Sequence, residues 1–447
     1  MPSKWLVQEL LQFQQNTAIT YQEQNFSYRD LYEKIRAIQN EVILDIEEGD
    51  VVAIVGDYSF NIIALLLALY ENNNIIVPIA SKVKSEIEDR LNESLSIFKI
   101  NGDTLEVVKI QNKNKNLMID TFKKSHHSGL VLFSSGSTGV PKAMIQDLDN
   151  LIDTYKGKRK KSMSMLVFLM FDHIGGLNTV FNALSIGATQ ILLDSREPEY
   201  ICSLIPKYNI RILPSSPTFL NLMLISGAHR KFNLKSLRMV TYGTESMPKS
   251  LLNKLKSVFP KVKFLQTFGT SETGIASTSS QSSSSLYMKI DDPNLKYKIV
   301  NSELWLKSKT QILGYLNASM ENFTDDGWFK TGDIVETIGD DYIKIVGRGN
   351  DVINVGGEKV MPAEVESVVM EISTILDCTC YGQENSITGQ SVAIDVVLDQ
   401  EISVIEVKKI IRKHCLNKLD RYKIPAKVRI VNNVNFSNRF KKIRKKS

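Results

Sequence analysis

A chain of 447 residues with 43% hydrophobic and 23% charged side chains has the composition of an ordinary globular protein, which excludes a disordered or membrane-embedded class. Its length exceeds the roughly 250 to 300 residues at which one core stops growing, so two or three structural units are expected. Of the formal net charge of +6, all but +1 sits in the last seven positions, on Lys441, Lys442, Arg444, Lys445 and Lys446; the basicity is local, and no broad nucleic-acid footprint is implied.

Four cysteines, Cys202, Cys378, Cys380 and Cys415, are too few and too irregularly spaced for a disulfide framework or a zinc site. They read as reduced thiols of a cytoplasmic protein. The first residues, MPSKWLVQELLQFQQ, lack the apolar stretch of a secretory signal. The longest apolar run, IIALLLALY at 62–70, is about half of the ~20 residues a membrane-spanning helix needs.

In chain order, VVAIVG (51–56) reads as a strand, NIIALLLALY (61–70) as a buried helix and NIIVPIA (74–80) as the next strand. The rhythm returns at 130–133, 189–193, 210–213, 237–243 and 263–269. Apolar strands separated by helices predict parallel βαβ units, whose polar site residues collect beyond the carboxyl ends of the strands. The segment STSSQSSSS (277–285) fits either a flexible linker or a surface loop inside a domain. From about residue 286, short strands and turns predict a β-rich subdomain that ends at the turn Gly347-Arg348-Gly349-Asn350-Asp351. Beyond it, a helix at 362–373, a strand at 391–399, a helix at 402–419 and a strand at 426–432 predict a small α+β unit. The expected fold is therefore α/β: a large N-terminal domain over 1–347, made of βαβ subdomains plus a β-rich subdomain, and a small α+β C-terminal domain over 351–447.

Four segments carry residue types suited to chemistry. In LVLFSSGSTGVPKAM (130–144), a strand runs into Ser134-Ser135-Gly136-Ser137-Thr138-Gly139 and then reaches Lys142. Glycines let backbone approach phosphate oxygens, hydroxyls and amides donate to them, and a lysine neutralises their charge; a purely structural turn has the same appearance. The spacing is not that of a P-loop. In QTFGTSETG (266–274), Glu272 stands at a strand exit where it can hold a divalent cation, cap a helix or simply face water. In DGWFKTGDIVE (326–336), Asp333 either accepts the two hydroxyls of a ribose or caps a turn. The fourth segment, GRGNDVINVGGEKVMPAEVE (347–366), places Arg348 at the domain boundary.

Together and in this order, these segments resemble the adenylate-forming (AMP-binding) enzymes: acyl- and aryl-CoA synthetases, adenylation domains of peptide synthetases and beetle luciferases. The resemblance spans nearly the whole chain, from FSYRDLYEKIRAI onward. It implies that Ser134, Ser135, Gly136, Ser137, Thr138, Gly139 and Lys142 handle the ATP phosphates, and that Tyr242, Gly243, Thr244 and Glu245 line the adenine side. The stretch TFGTSETG is similar to a Tyr-Gly-x-Thr-Glu motif, with Phe268 for Tyr and Ser271 for Thr, so Phe268, Gly269, Thr270 and Ser271 join the ATP/AMP-binding set and Glu272 becomes the magnesium ligand. Asp333 takes the ribose, Arg348 the ribose and phosphate, and Asn350 the hinge on which the small domain swivels, in a boundary at 348–350. Gly356 and Gly357 leave room for a pantetheine arm.

The implied activity is ATP-dependent conversion of an organic carboxylic acid to an acyl-adenylate, with magnesium, followed by acyl transfer to a thiol. CoA is the first choice of acceptor; the alternative is a stand-alone adenylation enzyme that loads the phosphopantetheine of a separate acyl carrier protein with an acyl, aryl or amino acid. The stretch LVFLMFDHIGGLNTVFNAL (166–184) resembles CoA ligases in one register, with His173 at the pocket mouth as a catalytic residue, and Phe171-Asp172 imitates amino-acid activators in another; a merely packed His173 is the third possibility. The expected acid pocket is His173, Ile174, Gly176, Ser215 and Ser216. The terminal KKIRKK is similar to a Gly-Lys-Ile motif, making Lys442 the catalytic lysine beside Glu272 and His173; Lys441 stands where glycine normally lets the loop fold tightly, so it bears on the loop's geometry and the adenylation rate, while its side chain is expected to do little in Lys441→Ala.

Overall fold

The computed structural model describes residues 3–112, 115–134, 141–339, 341–437 and 440–444. Two seven-stranded sheets make up most of the large domain. In one, Lys263–Gln266, Met239–Tyr242, Ile212–Ser215, Ser164–Leu166, Thr189–Ile191 and Thr17–Tyr21 run parallel in that order, with Gln24–Ser27 added antiparallel at the edge. In the other, Gly129–Ser134, Ile75–Ile79, Val51–Val55 and Phe98–Asn101 are parallel neighbours, and Lys142–Asp147 pairs antiparallel with Gly129–Ser134. The strands at 51–55, 75–79, 129–134, 189–191, 212–215, 239–242 and 263–266 match the apolar runs of the sequence, whereas Thr17–Tyr21, Gln24–Ser27, Phe98–Asn101, Lys142–Asp147 and Ser164–Leu166 were not read from it; both faces are covered, as parallel strands require.

Helix Phe60–Glu71 shows why burial dictates its composition. Ser59 caps it by accepting from the Ile62 amide at 3.2 Å, and nine consecutive residues from Ile62 to Tyr70 are buried in the core between the sheets. An all-round apolar helix has no solvent face to supply, so its hydrophobic run is a core signature.

The remaining sheets set up the site. A six-stranded antiparallel sheet holds Thr278–Ser280, Met288–Ile290, Tyr342–Arg348, Phe329–Ile338, Glu303–Ser308 and Leu295–Val300. The serine-rich segment is thus neither linker nor plain loop: Thr278–Ser280 pairs with Met288–Ile290, while the Ser280 and Ser283 hydroxyls accept from the Gln266 and Phe264 amides and stitch the hairpin to a neighbouring strand. The small domain carries a five-stranded sheet of Glu358–Val360, Ile353–Val355, Gly389–Leu398, Ile375–Asn385 and Lys427–Ile430, backed by helices Pro362–Val369 and Val404–Cys415. Ile375–Asn385, absent from the sequence reading, is the longest strand of this sheet. Its interior acids, Asp377 above all, break the apolar run that marks a buried strand.

A candidate nucleotide site between the two domains

The antiparallel strands Phe329–Ile338 and Tyr342–Arg348 put Asp333 directly opposite Arg348. Asp333 is 5% exposed, and its Oδ1 accepts from Arg348 Nε at 3.2 Å. Burial raises the pKa of its carboxyl, and the Arg348 guanidinium opposes that rise. The pocket that these two residues line is closed from the large domain by Gly243, Thr244, Glu245, Phe268 and Gly269, and from the C-terminal side by Asp351, Glu366, Asp377, Lys441, Lys442 and Arg444. Gly243 is obligatory here: a Cβ would meet the Thr267 carbonyl oxygen at 2.8 Å. The next residue, Thr244, has a φ of 71°, an uncommon conformation that bends the chain around the pocket wall.

Glu245 belongs to this wall, but its carboxylate bridges the domains. One oxygen accepts from the Thr218 amide at 2.7 Å and from the Thr218 hydroxyl, and the other from the Lys442 amide at 3.1 Å. Burial raises its pKa against the opposing pull of Thr218 and Lys442. Tyr242, expected on the adenine side, is instead a core residue, 1% exposed within the cluster around Phe168, Phe219 and Phe264. As the last residue of an inner parallel strand, it points into the apolar layer rather than at the cavity.

Lys442 is held by its own domain. Its ammonium donates to Asp377 Oδ1 and to the Cys378 carbonyl, both at 2.7 Å, and the ion pair is 9% and 2% exposed. Burial disfavours the charge, but Asp377 and Glu366 outweigh it and hold the lysine above its usual range. Arg444 pairs with Glu366 at 2.9 Å and with Asp351 at 3.6 Å. Glu366 and Asp377 were missed by sequence reasoning; the available signal was an acid inside each of two apolar runs, AEVESVV and STILDCTC. Phe440 was missed too. Its ring packs 5.4 Å from Phe168 and 5.5 Å from Phe219, and its carbonyl accepts from the Ser216 hydroxyl at 2.9 Å.

The expected phosphate end lies where Gly129–Ser134 meets Lys142–Asp147. Ser134 is opposite Lys142 in register, and the segment between them, with Ser135, Gly136, Ser137, Thr138 and Gly139, lies outside the described residues. Lys142 Nζ sits 5.5 Å from the centroid of the Tyr315 ring and 4.0 Å from Glu321. The Tyr315 hydroxyl donates to Glu272 Oε1 at 3.2 Å. The Thr270 hydroxyl is taken by Thr273, and Ser271 stands in the turn just before Glu272.

The expected acid-pocket residues are used structurally. His173 caps helix Ile174–Ile186, its Nδ1 accepting from the Gly175 amide at 3.0 Å, and Ile174 is buried. A Cβ on Gly176 would lie 2.4 Å from the Met170 carbonyl, so close packing alone accounts for the glycine. Ser216 caps helix Pro217–Ile225 as well as clasping Phe440, and Ser215 is buried at a strand end. Asp172 is paired with Arg90 at 2.7 Å. Asn350 lies in an exposed 3-10 turn, Gly349–Asp351, with an ordinary negative φ. Gly356 and Gly357 form the turn of a small-domain hairpin and do not line the pocket.

A two-domain α/β chain with an aspartate–arginine pair at the junction and a lysine-bearing C-terminal segment closing over it has the architecture of an adenylate-forming enzyme. The family model described as AMP-binding enzyme matches residues 7–316, and that described as AMP-binding enzyme C-terminal domain matches 364–441. The chain belongs to the AMP-binding enzyme family and is an AMP-forming acid–thiol ligase. It is 28% identical to a 2-succinylbenzoate–CoA ligase of Staphylococcus epidermidis over 71% of this chain and 68% of the relative, and 24% identical to 4-coumarate–CoA ligase-like 9 of Arabidopsis thaliana over 79% and 72%. Among solved structures, an anthranilate CoA ligase in complex with anthranoyl-AMP is similar with a TM-score of 0.82, at 18% identity over 99% of this chain and 96% of that one. An O-succinylbenzoate CoA synthetase from Bacillus subtilis, in complex with ATP and magnesium, is similar with a TM-score of 0.74, at 20% identity over 96% of each chain. Among the described residues no helix is long and apolar enough to cross a membrane.

Proposed function

We propose that this enzyme activates a fatty or aryl carboxylic acid with ATP and passes the acyl group to the thiol of CoA. A carboxylate oxygen attacks the α-phosphorus, the bond to the β-phosphate bridging oxygen breaks, and pyrophosphate leaves an acyl-adenylate. The thiol then adds to the acyl carbonyl and gives up its proton, and AMP departs with the electron pair of the cleaved acyl–phosphate anhydride bond. The observation that carries this reading is the junction pocket, lined by the buried Asp333 carboxylate together with Arg348, Lys441 and Lys442, a combination that suits a ribose beside a phosphate.

Positioning and neutralisation of phosphate charge are the protein's contribution to the first step. Lys142 and the residues 134–139 take the β- and γ-phosphates. Glu272 fits a magnesium ion bound jointly with the nucleotide, because among the described residues its Oε2 has no protein partner; the ion supplies further neutralisation of the phosphates when bound. Lys442 serves the developing charge at the α-phosphate, exchanging Asp377 for the substrate's oxygens. The second step uses a swivel about 348–350, with the Gly356–Gly357 hairpin bordering the pantetheine arm. Domain limits of 1–347 and 351–447 follow from that hinge. Asp172, already committed to Arg90, is not offered to an α-ammonium group, which favours an acid without one. The four buried free thiols suit a reducing cytoplasm.

The test is ATP–pyrophosphate exchange across fatty, aryl and hydroxy acids, with the product identified by mass spectrometry after adding CoA or a phosphopantetheinylated carrier protein. Acid-dependent exchange and an acyl-CoA product are expected. Exchange followed by transfer to the carrier alone moves the acceptor to that protein, and silence across the panel removes the reading.

A further inference from the structure

Consecutive lysines at 441 and 442 meet different surroundings. Residue 442 forms a β-bridge with Phe436, and successive side chains of an extended segment leave the backbone on opposite sides. Lys442 leaves toward Asp377 and the Cys378 carbonyl, where its charge is met. Lys441 lies partly buried in the pocket wall beside Asp333 and Arg348, and its ammonium makes no hydrogen bond or ion pair with any described residue. Its backbone is fixed: its amide donates to the Ser437 hydroxyl at 3.4 Å and its carbonyl accepts from the Ser437 amide at 2.9 Å. Phe440, with a φ of 52°, anchors the preceding residue in the aromatic cluster of Phe168 and Phe219. Burial and the nearby Arg348 lower the Lys441 pKa, while Glu245, Asp351 and Asp333 oppose that at longer range. A desolvated ammonium without a partner is costly unless an anion completes it.

We propose that Lys441 is a phosphate-binding residue of the nucleotide pocket: with Asp333 holding the ribose, its ammonium takes the anionic phosphate of the bound adenine nucleotide, while Lys442 rests on Asp377 and leaves it only as the acid attacks the α-phosphorus. This rests on the pocket being the nucleotide site proposed above. It reverses the expectation that Lys441 is a bystander. A glycine in this position brings no charge, so the extra cation is a property of this chain's own residue.

The experiment compares AMP with adenosine, two ligands that differ by the phosphate alone, using calorimetric affinities for the wild-type protein, Lys441→Ala, Lys441→Gln and Lys441→Arg. The expected result is a loss of about tenfold in AMP affinity for the Ala and Gln variants, the scale of one charge-assisted contact, with adenosine affinity unchanged and AMP affinity largely restored by Arg. Equal losses for AMP and adenosine make Lys441 a packing residue and overturn the inference, as does unchanged AMP affinity in all variants. A wild-type protein that binds neither ligand refutes the nucleotide pocket itself, and the inference with it. Near-ultraviolet circular dichroism of each variant confirms folding, and the Gln variant keeps the length of the side chain where Ala perturbs the loop.

Discussion

The junction pocket and the glycine hairpin of the small domain are both assigned to one active site by their motifs, yet the structure draws only the first of them in. At the junction, Asp333, Arg348, Glu245, Lys441 and Lys442 line one cavity. Gly356 and Gly357 stand exposed at a turn, where a Cβ on Gly357 would meet nothing within 4 Å and one on Gly356 only Thr388. Two motifs of one reaction that do not share a cavity belong to different steps. Under the proposed two-step reaction, the arrangement seen serves formation of the adenylate, and the hairpin is used after a swivel of the small domain.

The largest expected effect falls on the pocket side. Lys442→Ala should lower pyrophosphate exchange by about 10²-fold or more, the scale of losing a preorganised electrostatic contact. It also leaves Asp377 buried without its cation, a destabilisation on the order of 3–5 kcal/mol that thermal or urea unfolding would measure. An unchanged exchange rate would remove Lys442 from the first step.

Asp333→Ala should weaken AMP binding by roughly 10- to 100-fold, as expected for one or two hydrogen bonds to a charged acceptor, and weaken 2′,3′-dideoxy-AMP far less. Equal losses for both nucleotides would place Asp333 outside the ribose site.

A smaller effect distinguishes the two lysines by pH. The charged form of Lys441 binds phosphate, and its pKa lies below the ordinary 10.5 because burial and Arg348 disfavour the charge. AMP affinity should therefore be full below the lowered pKa and fall as pH rises through it, with the fall starting at higher pH in Lys441→Arg. The Lys442 pKa is raised, so its ion pair persists throughout that window and the unfolding deficit of Lys442→Ala should stay constant across it. A flat AMP profile in the wild-type protein would contradict the division.

The smallest effect belongs to the hairpin. Gly356 has a φ of 61°, so Gly356→Ala costs about 1–2 kcal/mol of backbone strain and narrows the proposed pantetheine path. Thioester formation should slow several-fold while exchange is unchanged. Slowing of exchange by the same factor would tie the hairpin to the pocket after all.

Legibility in the sequence followed the range of the interactions. Most parallel strands of the large domain were readable because burial on both faces leaves continuous apolar runs such as VVAIV and IIVPI, while Thr17–Tyr21, Phe98–Asn101 and Ser164–Leu166, short or interrupted by polar residues, were not. The Asp333–Arg348 pair was readable as two local motifs that one antiparallel register brings opposite each other. Strand Ile375–Asn385 was hidden by the acid that Lys442 neutralises, a partner 65 residues away. The serine tract fitted either a linker or a surface loop because composition does not reveal that its hydroxyls accept from the amides of the strand Lys263–Gln266. His173, Ser215 and Ser216 were legible as candidate polar positions at element ends, but whether such a residue caps its own helix or faces a ligand is decided by rotamers. Lys441 was discounted for the same reason: a motif assigns importance by position, whereas exposure to the pocket depends on which way each of two neighbouring side chains leaves the chain.

The most direct test of this separation supplies Lys442→Ala enzyme with a preformed acyl-adenylate and CoA, after the acid panel has identified the acid. Thioester should appear at a rate close to that of the wild-type protein, although pyrophosphate exchange by the same preparation has nearly vanished. Loss of both half-reactions in equal measure from a folded variant would contradict it, and would place Lys442 and the junction pocket in both steps.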